Sequence, residues 1–419
     1  MNEDRAVTAE QAASGIFNGE NGLDPFAVFA QMRQAGPILS VPVEMGGVKF
    51  KAWMVTRFDE AMQVLKDHGR FTVDRSALES GSSGGESFMR QDESSPATFF
   101  TGKSMLTVDE PDHRRLRGLV SKAFTPKYME SLRPRVQGLA DSLLDRVQSG
   151  GEMDLVRDYA YPLPINVICD MLGIPEEDHA DIRLWSGAIA HGLGLGRQEP
   201  EVAEHLRAFG EYTARLVHNK RSRPGDDLIS QLIALEEEGD RLSEQELYSM
   251  ITLLVFAGHE TTSNLIATGC LMLLDHPDEL AKLKADLSLV PSAVEELLRF
   301  NGPSTIAGPR YALEDTEIAG QPIRRGEMIF PVLKSANRDE LKFDASEELD
   351  LTRSISRHLA FGNGIHMCLG APLARIEADV AFSTLLRRMP ELRLAIPRED
   401  VAWSFALSSQ GLAALPVKF

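Results

Sequence analysis

The sequence predicts a mainly α-helical fold with a small β part, and three observations support this prediction. Apolar residues recur at helical spacing from about residue 111 onward, over 126–149, 162–172, 176–191, 199–222 and 371–388. The longest helical pattern follows Ser243 and ends at Asp275, so it spans about 31 residues, or roughly 46 Å. Strand patterns are confined to 40–57, 304–333 and the C-terminal end. We therefore expect a loose tail over 1–20 and one large domain over 21–419.

The first hundred residues mix short strands with a long loop. Residues 40–57 form strand patterns around a Gly46-Gly47 turn. A Gly/Ser-rich stretch at 80–87 and the residues after it show no periodicity. Such a segment is typical of a lid or binding loop, and equally of a disordered insertion.

Composition and charge limit the class of protein. The chain has 419 residues and a formal net charge of −18, which argues against nucleic acid or an anionic membrane as a partner. Its cysteines, Cys169, Cys270 and Cys368, are too few and too far apart for a disulfide framework. The charged N-terminus lacks the apolar core of a signal peptide, and no apolar run reaches membrane-spanning length. We expect a cytoplasmic monomer that binds neither nucleic acid nor membrane.

The long helix carries polar residues at its centre. Ser243 and Glu246 form a capping-box pattern at its start. Its middle is almost entirely apolar, which indicates burial, yet the motif AGHETT lies there at 257–262. Polar groups in such a place cost stability unless they serve a purpose.

Three interpretations of AGHETT compete. In the first, the motif is structural: Thr261 bonds to the carbonyl of Ala257, and Glu260 pairs with a cation elsewhere in the chain. In the second, the motif belongs to a zinc hydrolase, which requires a histidine at position 263; this chain has Ser263 there, so the pattern fails. In the third, Ala257, Glu260 and Thr261 share one helix face beside a cofactor, to which the acid and the alcohol deliver protons.

The stretch FGNGIHMCLG, at 361–370, places Cys368 among glycines that let the backbone bend tightly and approach a large flat group. A helix at 371–388 begins directly afterwards, and its free N–H groups and dipole favour a thiolate. Cys169 and Cys270 lie in apolar helical segments, which is typical of core thiols. A zinc site would need a second cysteine near Cys368, and none is there. A single thiolate suits haem iron with an axial cysteine.

Three motifs together resemble cytochrome P450, a family of haem-thiolate monooxygenases. FGNGIHMCLG fits the family signature F-x-x-G-x-H-x-C-x-G at every fixed position, and AGHETT fits the family's distal helix motif. Glu296 and Arg299 fit its E-x-x-R pair. The resemblance extends from about Asp24 to the end, and it implies the cytochrome P450 fold with the long helix over haem b.

The resemblance implies a role for each matching residue. Cys368 would be the proximal iron ligand, while Glu260 and Thr261 would be the catalytic residues that deliver protons during oxygen activation. Haem contacts are implied for residues that include four cations for the propionates: His113, Arg117, Arg310, His366, Ala257, Phe361 and Gly364. Bracing of the cysteine loop is implied for Glu296, Arg299 and Arg353, and His358 is a further cation that could instead only order this loop.

The family implies an enzyme that inserts one oxygen atom of O2 into a hydrophobic small molecule, by hydroxylation or epoxidation. Segments such as LRGLVSKAFTP and SANRD resemble sequences of the bacterial branch of the family, whose members tailor macrolides and other polyketides. Steroid- or terpenoid-like compounds are a second substrate class. The alternatives are a haem-thiolate enzyme that uses peroxide or couples carbon atoms, and a haem-based sensor, which would not need Glu260 and Thr261.

Substrate contacts are expected in the 86–106 loop, around 185–195, in the long helix, at 305–307 and at 408–412. The candidates are Phe88, Met89, Leu106, Leu254, Phe256, Thr305, Ile306, Ala307 and Ser409. Core packing is the competing explanation for each apolar candidate. Their shared apolar character predicts a bulky hydrophobic substrate.

Electrons are expected from a separate protein. The sequence GLGLGR at 192–197 is not a dinucleotide fingerprint, because no strand precedes it and the glycine spacing is wrong. The resemblance implies that a ferredoxin with its reductase, or a flavodoxin, docks beside the cysteine loop. The basic residues that would receive this acidic partner are Arg114, Arg115, Lys122 and Lys127. A solvated helix face is the alternative explanation for each of them.

Overall fold

The computed structural model describes residues 8–17, 25–45, 48–81, 104–122, 124–194, 200–237, 242–405 and 408–419. The helices are α1 (Ala9–Phe17), α2 (Pro25–Ala35), α3 (Phe58–Lys66), α4 (Asp112–Ser121), α5 (Pro126–Ser131), α6 (Arg133–Val147), α7 (Pro162–Leu172), α8 (His179–Gly194), α9 (Pro200–Ser222), α10 (Leu228–Glu237), α11 (Glu244–Asp275), α12 (Pro277–Ala285), α13 (Val290–Asn301), α14 (Leu333–Ala336) and α15 (Ala371–Arg388). The strands are β1 (Ile38–Met45), β2 (Val48–Val55), β3 (Phe71–Thr72), β4 (Glu152–Asp154), β5 (Arg310–Ala312), β6 (Thr316–Ile318), β7 (Gln321–Ile323), β8 (Met328–Pro331), β9 (Arg393–Leu394), β10 (Trp403–Phe405), β11 (Gln410–Leu412) and β12 (Pro416–Lys418).

The long helix α11 passes through the main apolar core. The hydroxyl of Ser243 accepts from the N–H of Glu246, and the Glu246 carboxylate accepts from the N–H of Ser243, so the expected capping box is formed. The helix has 32 residues, and side chains such as Leu265 and Ile266 are buried. It contacts α7 and α15. The prediction of a long buried helix is confirmed.

The largest sheet has five strands in the order β1-β2-β8-β5-β3. β1 and β2 pair antiparallel with Ile38 opposite Val55, and β8 runs parallel to β2. Two smaller apolar cores, around Phe29 and Phe58, lie against this sheet. Because β5 begins at Arg310, the sheet fixes that residue relative to the helices. The pairs β10–β11 and β6–β7 and the sheet β4-β12-β9 complete the described β structure.

The N-terminal tail differs from its prediction. Within the loose tail expected over 1–20, residues 9–17 form α1, in which Ala13 is buried and the Ser14 hydroxyl donates to the Pro42 carbonyl at 2.8 Å. Packing against β1 stabilises this short helix, since nine residues alone would not hold one.

Two predicted helices have different bounds. The helix expected over 126–149 is divided into α5 and α6 at Leu132, because Pro134 lacks a backbone donor and obstructs continuation from α5. The helix expected over 176–191 begins at His179 after a short 3-10 turn and ends at Gly194. Among the helices in the described ranges, none has both the length and the apolar character needed to cross a membrane.

Candidate functional site

A cavity of about 370 Å³ lies inside the protein where α11 meets the loop that carries Cys368. The centre of α11 lines it through Ala257, Gly258 and Thr261. The loop and the start of α15 line it through residues between 360 and 377. The structure therefore brings AGHETT and FGNGIHMCLG, which lie about a hundred residues apart in the sequence, around one space.

The cysteine loop has a backbone that depends on glycine. Gly364 has a φ of +74°, and a Cβ there would lie 2.2 Å from the carbonyl oxygen of Leu65 in α3. The Asn363 side chain accepts from the Gly364 N–H at 2.7 Å. The Cys368 N–H donates to the Phe361 carbonyl at 2.9 Å and closes the loop. These contacts hold Cys368 at the cavity, and they give Gly364 a role in close packing against α3.

The Cys368 sulfur lies at the N-terminus of α15. Cys368 is open to the cavity, yet desolvation by the surrounding protein raises the pKa of its thiol, while the N–H groups of Gly370 and Ala371 and the charges of Arg117 and Arg375 act to lower it. The N–H groups at the helix N-terminus lower the pKa of the thiol, as expected, but the rise caused by desolvation is larger. A bound metal cation would supply the remaining stabilisation of the thiolate.

One carboxylate ties the cysteine loop to two helices. Glu295 of α13 accepts from Arg375 of α15 at 2.6 and 2.9 Å, and from Nε2 of His358 at 3.1 Å. Although burial acts in the opposite direction, these hydrogen bonds lower the pKa of Glu295 to about 2. The Arg375 guanidinium lies 4.6 Å from the centre of the Phe361 ring. His358 also accepts from the Ala360 N–H at 3.1 Å, so its contacts are those that a loop-ordering role would require.

Glu296 and Arg299, the E-x-x-R pair, contact Arg353, the third residue predicted to brace the cysteine loop with them. Arg299 donates to both oxygens of Glu296 at 2.7 Å, and both side chains are fully buried. Arg353 donates to Glu296 at 3.1 Å. The two arginines also bind backbone carbonyls in the 337–348 segment. Asn337 in turn accepts from the Leu359 N–H at 2.7 Å, which connects this network to the cysteine loop.

Two arginines and two histidines gather near one edge of the cavity, and burial lowers the pKa of His113 to about 4. Arg310 is 5% exposed, and its Nη1 donates to the backbone carbonyl of Gly308 at 3.0 Å; burial lowers its pKa to about 10. The rings of His113 and His366 lie 4.4 Å apart, and His366 Nε2 bonds to Asp109 at 3.1 Å. Arg117 lines the cavity.

These arginines and histidines fit an anionic ligand as charged groups and as hydrogen-bond donors. Within the described residues, the buried Nε2 of His113 and Nδ1 of His366 have no hydrogen-bond partner. Among the residues that the structure describes, Arg310 donates hydrogen bonds to backbone carbonyls and forms no ion pair, so its charge is compensated only by the longer-range attraction of Asp109. The two carboxylates of a haem would satisfy all three groups. Beside them lie a thiol and an apolar cavity, so the residues present fit a haem.

The two polar residues of AGHETT have different environments. The Thr261 hydroxyl lines the cavity and donates to the Ala257 carbonyl at 3.1 Å, as the structural interpretation expected. Glu260 is not among the lining residues, and its Oε1 accepts from the Ser409 hydroxyl at 3.2 Å. Burial raises the pKa of Glu260, and the Ser409 hydrogen bond opposes this rise. The Glu260 partner found in the described part of the chain is therefore a hydroxyl and not a cation.

A buried acid that lines the cavity was missed by the sequence reasoning. Glu377 of α15 is 1% exposed, lines the cavity and accepts from the Thr262 side chain of α11. Its Oε2 has no partner among the described residues, and burial raises its pKa well above the usual value. The available signal was a lone glutamate on the otherwise apolar face of a predicted helix.

The substrate candidates divide into three groups. Those that line the cavity are Leu106, Leu254, Ile306 and Ala307. Three candidates do not line the cavity. Thr305 is buried, and the Phe256 ring packs 5.4 Å from that of Phe209. The Ser409 hydroxyl donates a hydrogen bond to Glu260. Phe88 and Met89 lie outside the described residues. Lining residues that were not predicted include Met105, Phe124, Ile168, Ser304 and Leu333.

The expected docking residues are not equally available. Arg114, Lys122 and Lys127 are exposed, and Arg114 pairs with Glu110 one turn away. Arg115 instead forms an ion pair with Glu246 at the cap of α11. Near them, Met367 is 45% exposed beside Cys368, and Arg117 donates to the Met367 carbonyl at 2.7 Å.

Comparisons with known proteins agree with this site. Residues 195–401 match the family model described as Cytochrome P450. The polyketide biosynthesis cytochrome P450 PksS of Bacillus subtilis is 42% identical over 94% of this chain and 95% of its own length. A solved PksS structure has a TM-score of 0.84 and covers 94% of this chain and 96% of that chain.

Two further relatives are named for their reactions. The mycinamicin IV hydroxylase/epoxidase of Micromonospora griseorubida is 38% identical over 98% of this chain and 100% of its own length. The vitamin D(3) 25-hydroxylase of Pseudonocardia autotrophica is 38% identical over 96% of this chain and 95% of its own length. Each similarity extends over almost the whole of both sequences.

Proposed function

This chain belongs to the cytochrome P450 family, and from that premise we propose that it oxidises a bulky hydrophobic secondary metabolite such as a macrolide or another polyketide. Its general reaction is the insertion of one oxygen atom of O2, and its prosthetic group is haem with an axial cysteine thiolate. The observation that carries the proposal is the cavity shared by Cys368, Thr261 and an apolar wall. When bound, the haem supplies the iron chemistry that activates O2.

Cys368 is our candidate for the iron ligand. Its sulfur faces the cavity, and it receives N–H groups from Gly370 and Ala371. These donors and the nearby arginines stabilise negative charge on the sulfur, which sustains electron donation to the iron. His113, Arg117, Arg310 and His366 are the candidates for holding the two propionates.

Glu260 and Thr261 are our candidates for proton delivery. The Thr261 hydroxyl faces the cavity, while the Glu260 carboxyl lies one residue earlier and outside it. Since the pKa of Glu260 is raised by burial, this acid can hold and release a proton closer to neutral pH than an exposed glutamate. The pair would deliver protons in order, which bulk water does not do.

The substrate class is proposed from the wall and from the relatives. Leu106, Leu254, Ile306 and Ala307 offer apolar surface without charge, which suits a neutral, hydrophobic molecule. The named relatives act in polyketide biosynthesis, on mycinamicin IV and on vitamin D(3). We place polyketides first because PksS has the highest identity of these three relatives.

The electron donor is proposed to be a separate ferredoxin with its reductase, or a flavodoxin. Arg114, Lys122 and Lys127 are exposed cations on an otherwise acidic chain, and α4 adjoins the cysteine loop through the contact of Arg117 with Met367. Charge complementarity with an acidic carrier would speed their encounter.

The absorption spectrum of the dithionite-reduced protein with carbon monoxide tests the haem assignment. We expect the strongly red-shifted Soret band of thiolate ligation, and we expect Cys368→His to lose it. Cys169→Ala is the matched control, because this buried thiol is not at the cavity and its loss should leave the band in place. A band at the histidine position in the unmodified protein would refute Cys368 as the ligand.

Spin-state titration then tests the substrate class. Neutral polyketides and macrolides should shift the Soret band of the oxidised protein on binding, since an apolar molecule displaces water from the cavity. Carboxylated analogues of the same size serve as the control. Shifts produced only by the charged analogues would contradict the proposed substrate class.

A further inference from the structure

Strand β11 and helix α11 make two contacts with matching spacing. The Ser409 hydroxyl, directly before β11, donates to Glu260 at 3.2 Å. Two residues later, a Cβ on Gly411 would lie 2.0 Å from Oδ1 of Asn264, so the strand backbone lies directly against that side chain. Four helical residues rise about 6 Å, and two strand residues about 6.7 Å. The strand and the helix are therefore in register over one helical turn.

The residue between these two contacts faces the other way. Side chains alternate along a strand, and the Gln410 side chain accepts a hydrogen bond from the Lys334 ammonium of α14. Lys334 also donates to Oδ1 of Asn301 at 2.7 Å, and its ammonium lies 5.6 Å from the centre of the Phe26 ring.

The Lys334 side chain is buried at a position where a positive charge is energetically unfavourable. It is 2% exposed, its contacts in the described part of the chain are amide oxygens and a ring, and the charge of Arg338 adds to the cost. Burial lowers the pKa of Lys334 well below its usual value. A buried cation without a carboxylate partner destabilises a fold unless the geometry it imposes is needed.

Backbone hydrogen bonds connect Lys334 and Gln410 to the residues 303–305, which adjoin the cavity. The Gln410 N–H donates to the Pro303 carbonyl at 2.9 Å, and the Thr305 N–H donates to the Ser408 carbonyl at 2.9 Å. The Lys334 N–H donates to the Thr305 carbonyl at 3.3 Å. Lys334 therefore supports both the 303–305 wall and the 408–410 turn from behind.

We propose that Ser409 is a positioning residue that holds the Glu260 carboxyl at a resting place outside the cavity, and that Lys334, through Gln410, fixes Ser409 there. This inference rests on the proposed role of Glu260 in proton delivery. Glu260 leaves Ser409 when it serves the cavity and returns afterwards. A single hydrogen bond of ordinary strength biases these two positions by roughly fivefold, so the bias is strong enough to define a resting place and weak enough to reverse.

The Glu260 infrared absorption tests this proposal without turnover. The band is identified in the oxidised, substrate-free holoenzyme as the signal that disappears in Glu260→Gln. Ser409→Ala should move the band to the frequency of a free group, whereas Ser409→Thr, which keeps a hydroxyl, should leave it unmoved. Ser408→Ala is the matched control, since the described contact of Ser408 is through its backbone. A band unmoved in Ser409→Ala would overturn the proposal.

The role of Lys334 needs its own variants. Lys334→Met removes the ammonium at similar length, and Gln410→Met removes its acceptor while the Asn301 contact remains. We expect each variant to lower the ratio of hydrogen-bonded to free Glu260 by roughly fivefold. If Lys334→Met does not fold, Gln410→Met decides the question. An unshifted band in Gln410→Met, with a shifted band in Ser409→Ala, would show that Lys334 does not help to position Ser409.

The proposed function fails on a different measurement. If Glu260→Gln formed product with the same yield per NADPH as the unmodified enzyme, Glu260 would not deliver protons. The infrared result for Ser409 would still report where the Glu260 carboxyl rests. The two failures are therefore distinguishable.

Discussion

Thr261 satisfies a structural and a chemical interpretation at once. Its hydroxyl proton is used in the hydrogen bond to the Ala257 carbonyl, yet the oxygen keeps two lone pairs at the cavity. The structural bond orients the hydroxyl at rest, and the hydroxyl rotates away from Ala257 when it donates its proton toward the cavity. A hydrogen bond seen at a candidate catalytic side chain is therefore no argument against its catalytic role.

Replacing Thr261 by alanine should uncouple the enzyme. We expect Thr261→Ala to keep consuming NADPH, to release hydrogen peroxide, and to lose roughly tenfold or more in product per NADPH, because the ordered alcohol is gone. Product, peroxide and NADPH are measured in the same reaction. Thr268→Ala is the control, since Thr268 makes the same kind of bond, to the Asn264 carbonyl at 2.6 Å, but does not line the cavity. Full coupling in Thr261→Ala would exclude this role.

At the residue scale, the sequence allowed contacts to be expected where a family pattern relates the residues, and gave no sign of contacts that no pattern relates. The grouping of Glu296, Arg299 and Arg353 could be expected, because a known family pattern relates them. The contact between Glu260 and Ser409 could not, because 149 residues separate them and no periodicity reports which strand meets which helix. Glu377 was missed for the same reason, since its partner Thr262 is on another helix.

At the scale of elements, the first turn of α11 depends on its cap. Ser243→Ala removes the hydroxyl that accepts from the Glu246 N–H, and we expect it to lower the free energy of unfolding by about 1 kcal/mol. Urea unfolding of the holoenzyme measures the change. Ser142→Ala, an exposed serine inside α6, should instead stabilise by a few tenths of a kcal/mol. Equal effects of the two substitutions would show that the cap carries no stability.

Element boundaries were predicted where local chemistry decides them. The capping box fixed the start of α11, and Gly370 with the residues after it fixed the start of α15. The helix α1 was missed because its stability comes from packing on β1, as the Ser14 contact with Pro42 shows. The break at Leu132 could have been predicted from Pro134, whose ring cannot continue the preceding helix.

For the whole molecule, Glu295 predicts how stability depends on pH. Its pKa is about 2 in the folded protein against an ordinary 4.5, so folding favours the carboxylate. The stabilisation is fully present above about pH 4.5 and is lost as the pH falls toward 2. We expect roughly 2 kcal/mol, and we expect Glu295→Gln to be less stable at pH 7 and to lose less on acidification.

Denaturant unfolding from pH 7 to pH 3 measures this dependence. Glu314→Gln, at an exposed carboxylate after β5, is the control for the loss of one negative charge. Parallel stability curves for Glu295→Gln and the unmodified protein would mean that His358 and Arg375 do not hold the carboxylate in solution. The carbon monoxide spectrum recorded alongside reports whether the cysteine loop loosens over the same pH range.

The cap of α11 also connects this helix to α4. Glu246 completes the capping box and also pairs with Arg115 of α4, the helix that carries His113 and Arg117. Loss of this ion pair would therefore act on two helices at once: on α4, which carries candidate haem contacts, and on the start of α11, which carries Glu260.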